Sequence, residues 1–241
     1  MSVISLNGLP GSGKTLTATY FAIKHFKKDN TRLKQFVRFL QRKPKIVNNV
    51  YSNYPILLNK RKKIYSNKVS IYDLKNQYSF PFGSLIIIDE VQLFYDSDEY
   101  KTFPKVIANF NQAHRHFGIC DIIYISQHPS RVVKKLRNVV CEFYRIKRRL
   151  ILPFLKVGFV TARVTYEFED YEQAFTKDKD LKKMRDIKGK IFFMNFRKVY
   201  KSYNTVYLRP LNSDKPLIDK GSYDELNLNN DDVSLLESKL F

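Results

Sequence analysis

Gly8-Leu9-Pro10-Gly11-Ser12-Gly13-Lys14-Thr15 carries the spacing G-x-x-x-x-G-K-T, and its fixed positions answer the demands of phosphate chemistry. Gly8, Gly11 and Gly13 let consecutive backbone N–H groups turn toward an anion with no Cβ in the way. Pro10 and Ser12 complete the loop. Lys14 has the reach for β- and γ-phosphates, and the Thr15 hydroxyl can ligate Mg²⁺. The expected ligand is a nucleoside triphosphate with Mg²⁺. A second constellation lies at Asp89-Glu90, directly after Leu85-Ile86-Ile87-Ile88. Asp89 is suited to hold the Mg²⁺ shell, and Glu90 to orient and polarise an attacking water. A third candidate is Gln127, after another apolar run, suited to sensing the γ-phosphate or the lytic water. A polar turn before Pro129 accounts for it equally well on spacing alone. Arg115, Arg131 and Arg137 are each candidates for an arginine finger reaching a neighbouring subunit. Spacing does not choose among them, and each taken singly also reads as a solvated cation.

These residues need elements to hold them. Residues 2–7 read as a short buried strand and Leu16 to Phe26 as a helix, so the glycine loop sits at a helix N-terminus with its unpaired donors and partial positive charge. Leu33, Phe36, Val37, Phe39 and Leu40 recur at helical spacing, and Pro44 ends that segment. Lys45 to Tyr51 reads as a second strand. Ser84 to Ile88 has the unbroken apolar character of a strand buried on both faces of a parallel sheet. Its carboxylates then fall at the C-terminal end, where open α/β sheets bind ligands. Lys105 to Phe117 reads as a helix capped by Gly118 and Ile119 to Ile125 as a strand. From Val139 the pattern alternates Val, Phe and Tyr with basic residues. Val139 to Ile151, Lys156 to Glu169, Gly189 to Tyr200 and Tyr203 to Leu208 are strand candidates, with helix or loop at Tyr171 to Asp186. The expected fold is α/β, with a mostly parallel central sheet. The expected layout is a P-loop core over 1–138, a β-rich C-terminal extension packed on it over 139–210, and a polar tail over 211–241.

Composition bounds the partners. The 241 residues include 43 Lys and Arg against 23 Asp and Glu, a formal charge of +20. Nucleic acid or an anionic membrane is the natural counterpart of such a charge, although a lysine-rich composition alone also produces it. Lys60-Arg61-Lys62-Lys63 is a basic loop cluster, read as a solvated turn in preference to a phosphate-contacting patch. Cys120 and Cys141 give no metal spacing or disulfide framework and are expected as buried thiols in strands. No signal peptide and no apolar run long enough to span a bilayer is expected.

The glycine loop resembles that of the N-terminal ATPase domain of the zonula occludens toxin-like proteins, assembly ATPases of filamentous bacteriophages. Ile88-Asp89-Glu90-Val91-Gln92 looks like that family's Walker B segment. His114-Arg115-His116-Phe117-Gly118 with Asp121 is similar to its Arg-His-x-Gly-x-Asp run. Gln127-His128-Pro129 followed by Leu136-Arg137 resembles its Gln-x-Pro and later Ile-Arg pair. The resemblance narrows the nucleotide to ATP: it implies an ATPase of the additional-strand, catalytic-glutamate class, acting as a homo-oligomer in the host cytoplasm at the inner face of the membrane. It would drive export or packaging of phage DNA, taken as single-stranded. It assigns motor roles to Asp89, Glu90 and Gln127, and makes Arg115 and Arg137 the better finger candidates. Longer members continue into a membrane-spanning segment that is not seen in this sequence; either a separate membrane-embedded partner replaces that anchor, or the protein packages or moves DNA without one. Two rivals share some of these residues: a nucleotide or small-molecule kinase, and a DNA-binding assembly scaffold with a degenerate site.

Overall fold

The structure is a computed structural model that describes residues 2–76, 80–97, 104–114, 119–152, 157–176 and 188–203. Strand β1 (Val3–Asn7) leads through the glycine loop into α1 (Lys14–Asp29). There follow α2 (Arg32–Leu40), β2 (Val50–Ser52), a hairpin of β3 (Leu57–Asn59) and β4 (Ile64–Tyr65), β5 (Asn67–Lys68) and α3 (Ile71–Lys75). The chain continues with β6 (Ser84–Ile88), α4 (Lys105–Gln112), β7 (Ile119–Ser126), α5 (Lys134–Arg137), β8 (Glu142–Leu152), β9 (Val157–Thr165), α6 (Phe168–Thr176), β10 (Lys188–Met194) and α7 (Phe196–Tyr200).

Eight strands form one sheet in the order β10-β9-β8-β1-β7-β6-β2-β5. From β8 to β5 every neighbour is parallel, whereas β9 and β10 run antiparallel and extend the sheet beyond β8. Two features of this order matter for the site. Strand β7 is inserted between β1 and β6, so the glycine loop and the Asp89-Glu90 pair are separated by one strand width. Both nonetheless leave the sheet at the same, C-terminal, edge of the parallel strands. Strand β8 pairs with β1 on its other side, so the β-rich residues after Val139 share a sheet with the glycine-loop strand.

Alternation along the central strands builds a core on each face. Leu85, Ile87, Ile123 and Ile125 join Leu16, Ala18, Ala22 and Phe26 of α1 on one side. Ile86, Ile88, Ile122 and Tyr124 join Ile107 and Phe110 of α4 and Leu136 of α5 on the other. A strand apolar at every position thus sits between two helical layers. Helix α3 is opened by a capping box in which Ser70 and Asp73 exchange hydrogen bonds.

Four expectations are corrected. Strand pairing near Lys45 to Tyr51 is confined to Val50–Ser52, because Asn48 and Asn49 spend their amides on the carbonyls of Tyr65 and Gly83. The run Lys156 to Glu169 is strand only to Thr165 and then turns into α6. The run Gly189 to Tyr200 is strand only to Met194 and ends as α7, which Asn195 opens by accepting the Lys198 N–H. Cys141 is exposed at a bend just before β8. The last expected strand and the polar tail lie, beyond Tyr203, outside the described residues. Lys60 to Lys63 form the exposed tip between β3 and β4, with the Lys62 N–H donating to Asn59 Oδ1.

Candidate nucleotide site

The glycine loop takes backbone conformations that side-chain-bearing residues resist. Gly11 and Gly13 lie at φ 74° and 102°. Gly8, at φ 149°, has in addition no room for a side chain: a Cβ there would stand 2.6 Å from the Ile146 carbonyl oxygen. No side chain caps α1, so its first-turn N–H groups remain for a ligand. The loop is tied to the next strand because the Gly8 N–H donates to the Gln127 carbonyl at 3.2 Å. Beneath it, buried Asn7 accepts from Ser5 Oγ at 3.1 Å and Ser126 Oγ at 2.6 Å, coupling the ends of β1 and β7.

Lys14 is buried, and its ammonium donates to the carbonyls of Gly8 at 2.8 Å and Leu9 at 3.1 Å. Burial lowers its pKa, an effect opposed by the nearby Glu90 and Asp89 carboxylates. Thr15 Oγ1 donates to Asp89 Oδ2 at 2.9 Å, joining the loop to the carboxylate across the width of β7. Burial pushes the Asp89 carboxyl up to about 6, with Glu90 adding to the rise while hydrogen bonds from Thr15 and the Glu90 N–H, and the charge of Lys14, oppose it.

Glu90, two residues beyond β6, lies in the left-handed region at φ 51° and ψ 46°, a conformation rare for a residue of its type. It donates its N–H to Asp89 Oδ1 at 2.9 Å and starts a single 3₁₀ turn over Val91–Leu93. The Gln92 amide donates to Glu90 Oε2. Gln92 is itself buried, with its Oε1 unpartnered.

Asn53, which belongs to none of the sequence motifs, proves central. It is fully buried at the end of β2. Its Oδ1 accepts the Asp89 N–H at 2.8 Å and its Nδ2 donates to the Asp89 carbonyl at 3.0 Å. Both backbone groups of Asp89 are therefore held by one side chain from a neighbouring strand. The signal that could have found it is a lone amide at the end of a strand pairing with the carboxylate-bearing strand.

Of the predicted residues, Gly8, Pro10, Gly11, Ser12, Gly13, Lys14 and Thr15 form the loop, with Asp89 and Glu90 facing it from the end of β6. Gln127 sits at the end of β7 with a half-buried side chain and its backbone on Gly8. Arg137 is half-buried, its guanidinium 4.2 Å from the centre of the Phe168 ring on α6. It packs against its own chain, and burial lowers its pKa against the pull of Glu172 and Glu169. Arg131 is exposed. Arg115 lies outside the described residues.

The donor set fits ATP and a hard divalent cation. Thr15 Oγ1 and Asp89 Oδ2 are hard oxygen donors that lie 2.9 Å apart. The buried Ser12 Oγ in the loop has no hydrogen-bond partner, and the Lys14 ammonium rests on loop carbonyls. Among the described residues, no group of three or more His, Cys, Asp or Glu side chains could hold a metal by itself, so phosphate and water would complete the shell. Among the same residues, no helix is long and apolar enough to cross a membrane.

Comparison with solved structures finds similarity to the N-terminal domain of zonular occludens toxin from Neisseria meningitidis. The identity is 21%, covering 84% of this chain and 98% of that one, with a TM-score of 0.56. A weaker likeness, with a TM-score of 0.42 and 14% identity, is to B204, the DNA-packaging ATPase from Sulfolobus turreted icosahedral virus. It covers 79% of this chain and 96% of that one. The flagellar accessory protein FlaH from Methanocaldococcus jannaschii matches at 12% identity, covering 69% of this chain and 78% of that one, with a TM-score of 0.35. Comparison with curated protein sequences finds no match. The family model of zonular occludens toxin (Zot) matches residues 2–205. With a mostly parallel sheet, a glycine loop after β1 and a family match across nearly all described residues, this chain belongs to the Zot family.

Proposed function

We propose that this chain is a P-loop ATPase that powers virion assembly by moving phage DNA, single-stranded in our reading. The observation that carries it is the meeting of Thr15 and Asp89 across an inserted strand, with Glu90 beside them. ATP supplies the phosphoanhydride, and Mg²⁺ the charge neutralisation of its phosphates. The glycine loop and the start of α1 offer N–H donors and a positive helix end to the phosphates. Lys14 exchanges its carbonyl partners for phosphate oxygens. Thr15 and Asp89 hold the cation, and Asn53 keeps the Asp89 backbone fixed while they do so. Glu90, oriented by Gln92, accepts a proton from the attacking water. Gln127, on the strand bonded to Gly8, reports the state of the γ-phosphate to the loop. The finger arginine comes from a second copy, with Arg115 and Arg137 as candidates. Arg137 would first have to leave the Phe168 ring.

The family match and the extra strand between β1 and β6 support an additional-strand motor over a kinase. The basic charge supports DNA as cargo, and membership in a family implied to work at the host membrane supports a membrane-embedded partner. The deciding assay supplies ATP and Mg²⁺ with and without single-stranded DNA and follows both phosphate release and acceptor phosphorylation. DNA-stimulated release of free phosphate is expected. Transfer to a nucleoside with no release would replace the motor by a kinase. An intact glycine loop that binds ATP without turnover would leave a scaffold.

A further inference from the structure

Helix α2 is assembled with its amphipathicity turned outward. Leu33, Phe36, Val37, Phe39 and Leu40 share one broad face by their spacing. None is buried: their exposures run from 43% to 73%. Three of its polar side chains meet the protein instead. Lys34 Nζ donates to Asp29 Oδ1 at 2.9 Å, Gln35 Nε2 to the Asn30 carbonyl at 2.8 Å, and Arg38 Nη1 to Asn30 Oδ1 at 3.4 Å. Asn30 in turn bonds both the N–H and the carbonyl of Val47. The helix is therefore pinned at both ends of its loop through its hydrophilic side. Thr31 supplies an N-cap, accepting the Lys34 N–H at 3.4 Å. A fixed helix that spends its polar groups on the protein and shows five large apolar side chains to water is built to be covered.

Charge selects what covers it. Residues 30–72 contain no Asp or Glu, while Arg32, Lys34, Arg38, Arg42, Lys43 and Lys45 lie in or just beyond the helix. Arg32, Arg42, Lys43 and Lys45 are all exposed. A second copy docked face to face would bring two such cation sets together, in a chain already at +20. An anionic lipid surface meets both demands, since acyl chains accept the Phe and Leu side chains and headgroups accept the flanking cations.

We propose that α2 is an interfacial membrane-binding helix, which lies in the headgroup layer of an anionic bilayer and holds the protein against it without spanning it. This deepens the membrane-proximal part of the proposed function and does not depend on ATP hydrolysis.

The chain has no tryptophan, so Phe36→Trp places a single indole on the proposed contact face. Its emission should shift to the blue when phosphatidylglycerol-containing vesicles are added and stay unchanged with pure phosphatidylcholine. Adding Leu33→Ser, Phe39→Ser and Leu40→Ser, all at exposed positions, should abolish the shift and weaken vesicle binding about tenfold or more, while ATP hydrolysis stays at the parent rate. Co-sedimentation with anionic vesicles and no blue shift would show adhesion by basic charge elsewhere and overturn the proposal. A blue shift that follows protein concentration in the absence of lipid would assign the face to a second copy and overturn it as well. Insertion without any ATP turnover would remove the ATPase reading and leave this one standing.

Discussion

Replacing Asn53 with Ala isolates the device that holds the Asp89 backbone in place. The substitution removes the acceptor for the Asp89 N–H and the donor to the Asp89 carbonyl, at 2.8 and 3.0 Å, in a fully buried place. Each of the two Asp89 backbone groups left buried without a partner costs about 1 to 2 kcal/mol. The small void adds to this, and partial entry of water offsets some of it, so a loss of about 3 kcal/mol is expected. With a urea dependence of about 3 kcal/mol per molar for a chain of this size, the unfolding midpoint should fall by about 1 M. The effect on catalysis is separate. With its backbone released, Asp89 loses the position that meets Thr15, so hydrolysis should drop by at least about tenfold with a higher requirement for Mg²⁺. Urea unfolding followed by circular dichroism, and phosphate release across a Mg²⁺ titration, read the two effects. The exposed Asn76→Ala serves as control and should shift stability by less than about 0.5 kcal/mol. An Asn53→Ala protein with parental midpoint and parental Mg²⁺ dependence would refute the idea that this side chain positions Asp89.

Asp89→Asn should stabilise the protein at neutral pH while abolishing hydrolysis. The folded carboxyl sits at about 6 against an ordinary 3.8, so the folded state binds the extra proton in that window and stability falls as pH rises through it. The cost of the buried charge is then full at pH 7, about 3 kcal/mol, and absent below the unfolded value. Thermal melts of parent and variant should therefore diverge at pH 7 and converge near pH 4; divergence in the opposite sense would contradict the assignment. Gly8→Ala should cost at least about 2 kcal/mol, because a Cβ would lie 2.6 Å from the Ile146 carbonyl oxygen at φ 149°; a melt equal to the parent's would show that the loop can move away at no cost. Affinity for single-stranded DNA should fall roughly 300-fold between about 50 and about 200 mM salt if about six phosphates are contacted, and a flat titration would remove the electrostatic account of binding.

The glycine loop and the Asp89-Glu90 pair could be read in sequence because each is a local pattern: backbone torsions in one case, an apolar strand ending in carboxylates in the other. Neighbourhood in the sheet was less legible. Nothing around Glu142 announces that β8 lies against β1, since parallel pairing joins segments far apart in the chain. Asn53 shared that fate, being a turn residue locally and a clamp only once β2 stood beside β6. The periodicity of α2 marked a helix correctly, but periodicity cannot say which face points inward. Asp29 and Asn30 decided that, by binding the polar side. Phe192 and Phe193 suggested a strand through Tyr200, and the helix that begins at Phe196 was hidden by the same aromatic, basic texture. For Arg137, a position beside the expected finger motif gave no hint that Phe168 would take the guanidinium.

The central claim is that Glu90, held in its left-handed turn beside Asp89 and Gln92, is the base of an ATPase. The most direct test is Glu90→Gln, with ATP binding and steady-state phosphate release measured on the same preparation. ATP should bind with parental affinity, while turnover should fall by about 10² to 10⁴-fold. Hydrolysis by the variant at the parent rate would contradict the assignment of Glu90 and, with it, the proposed mechanism.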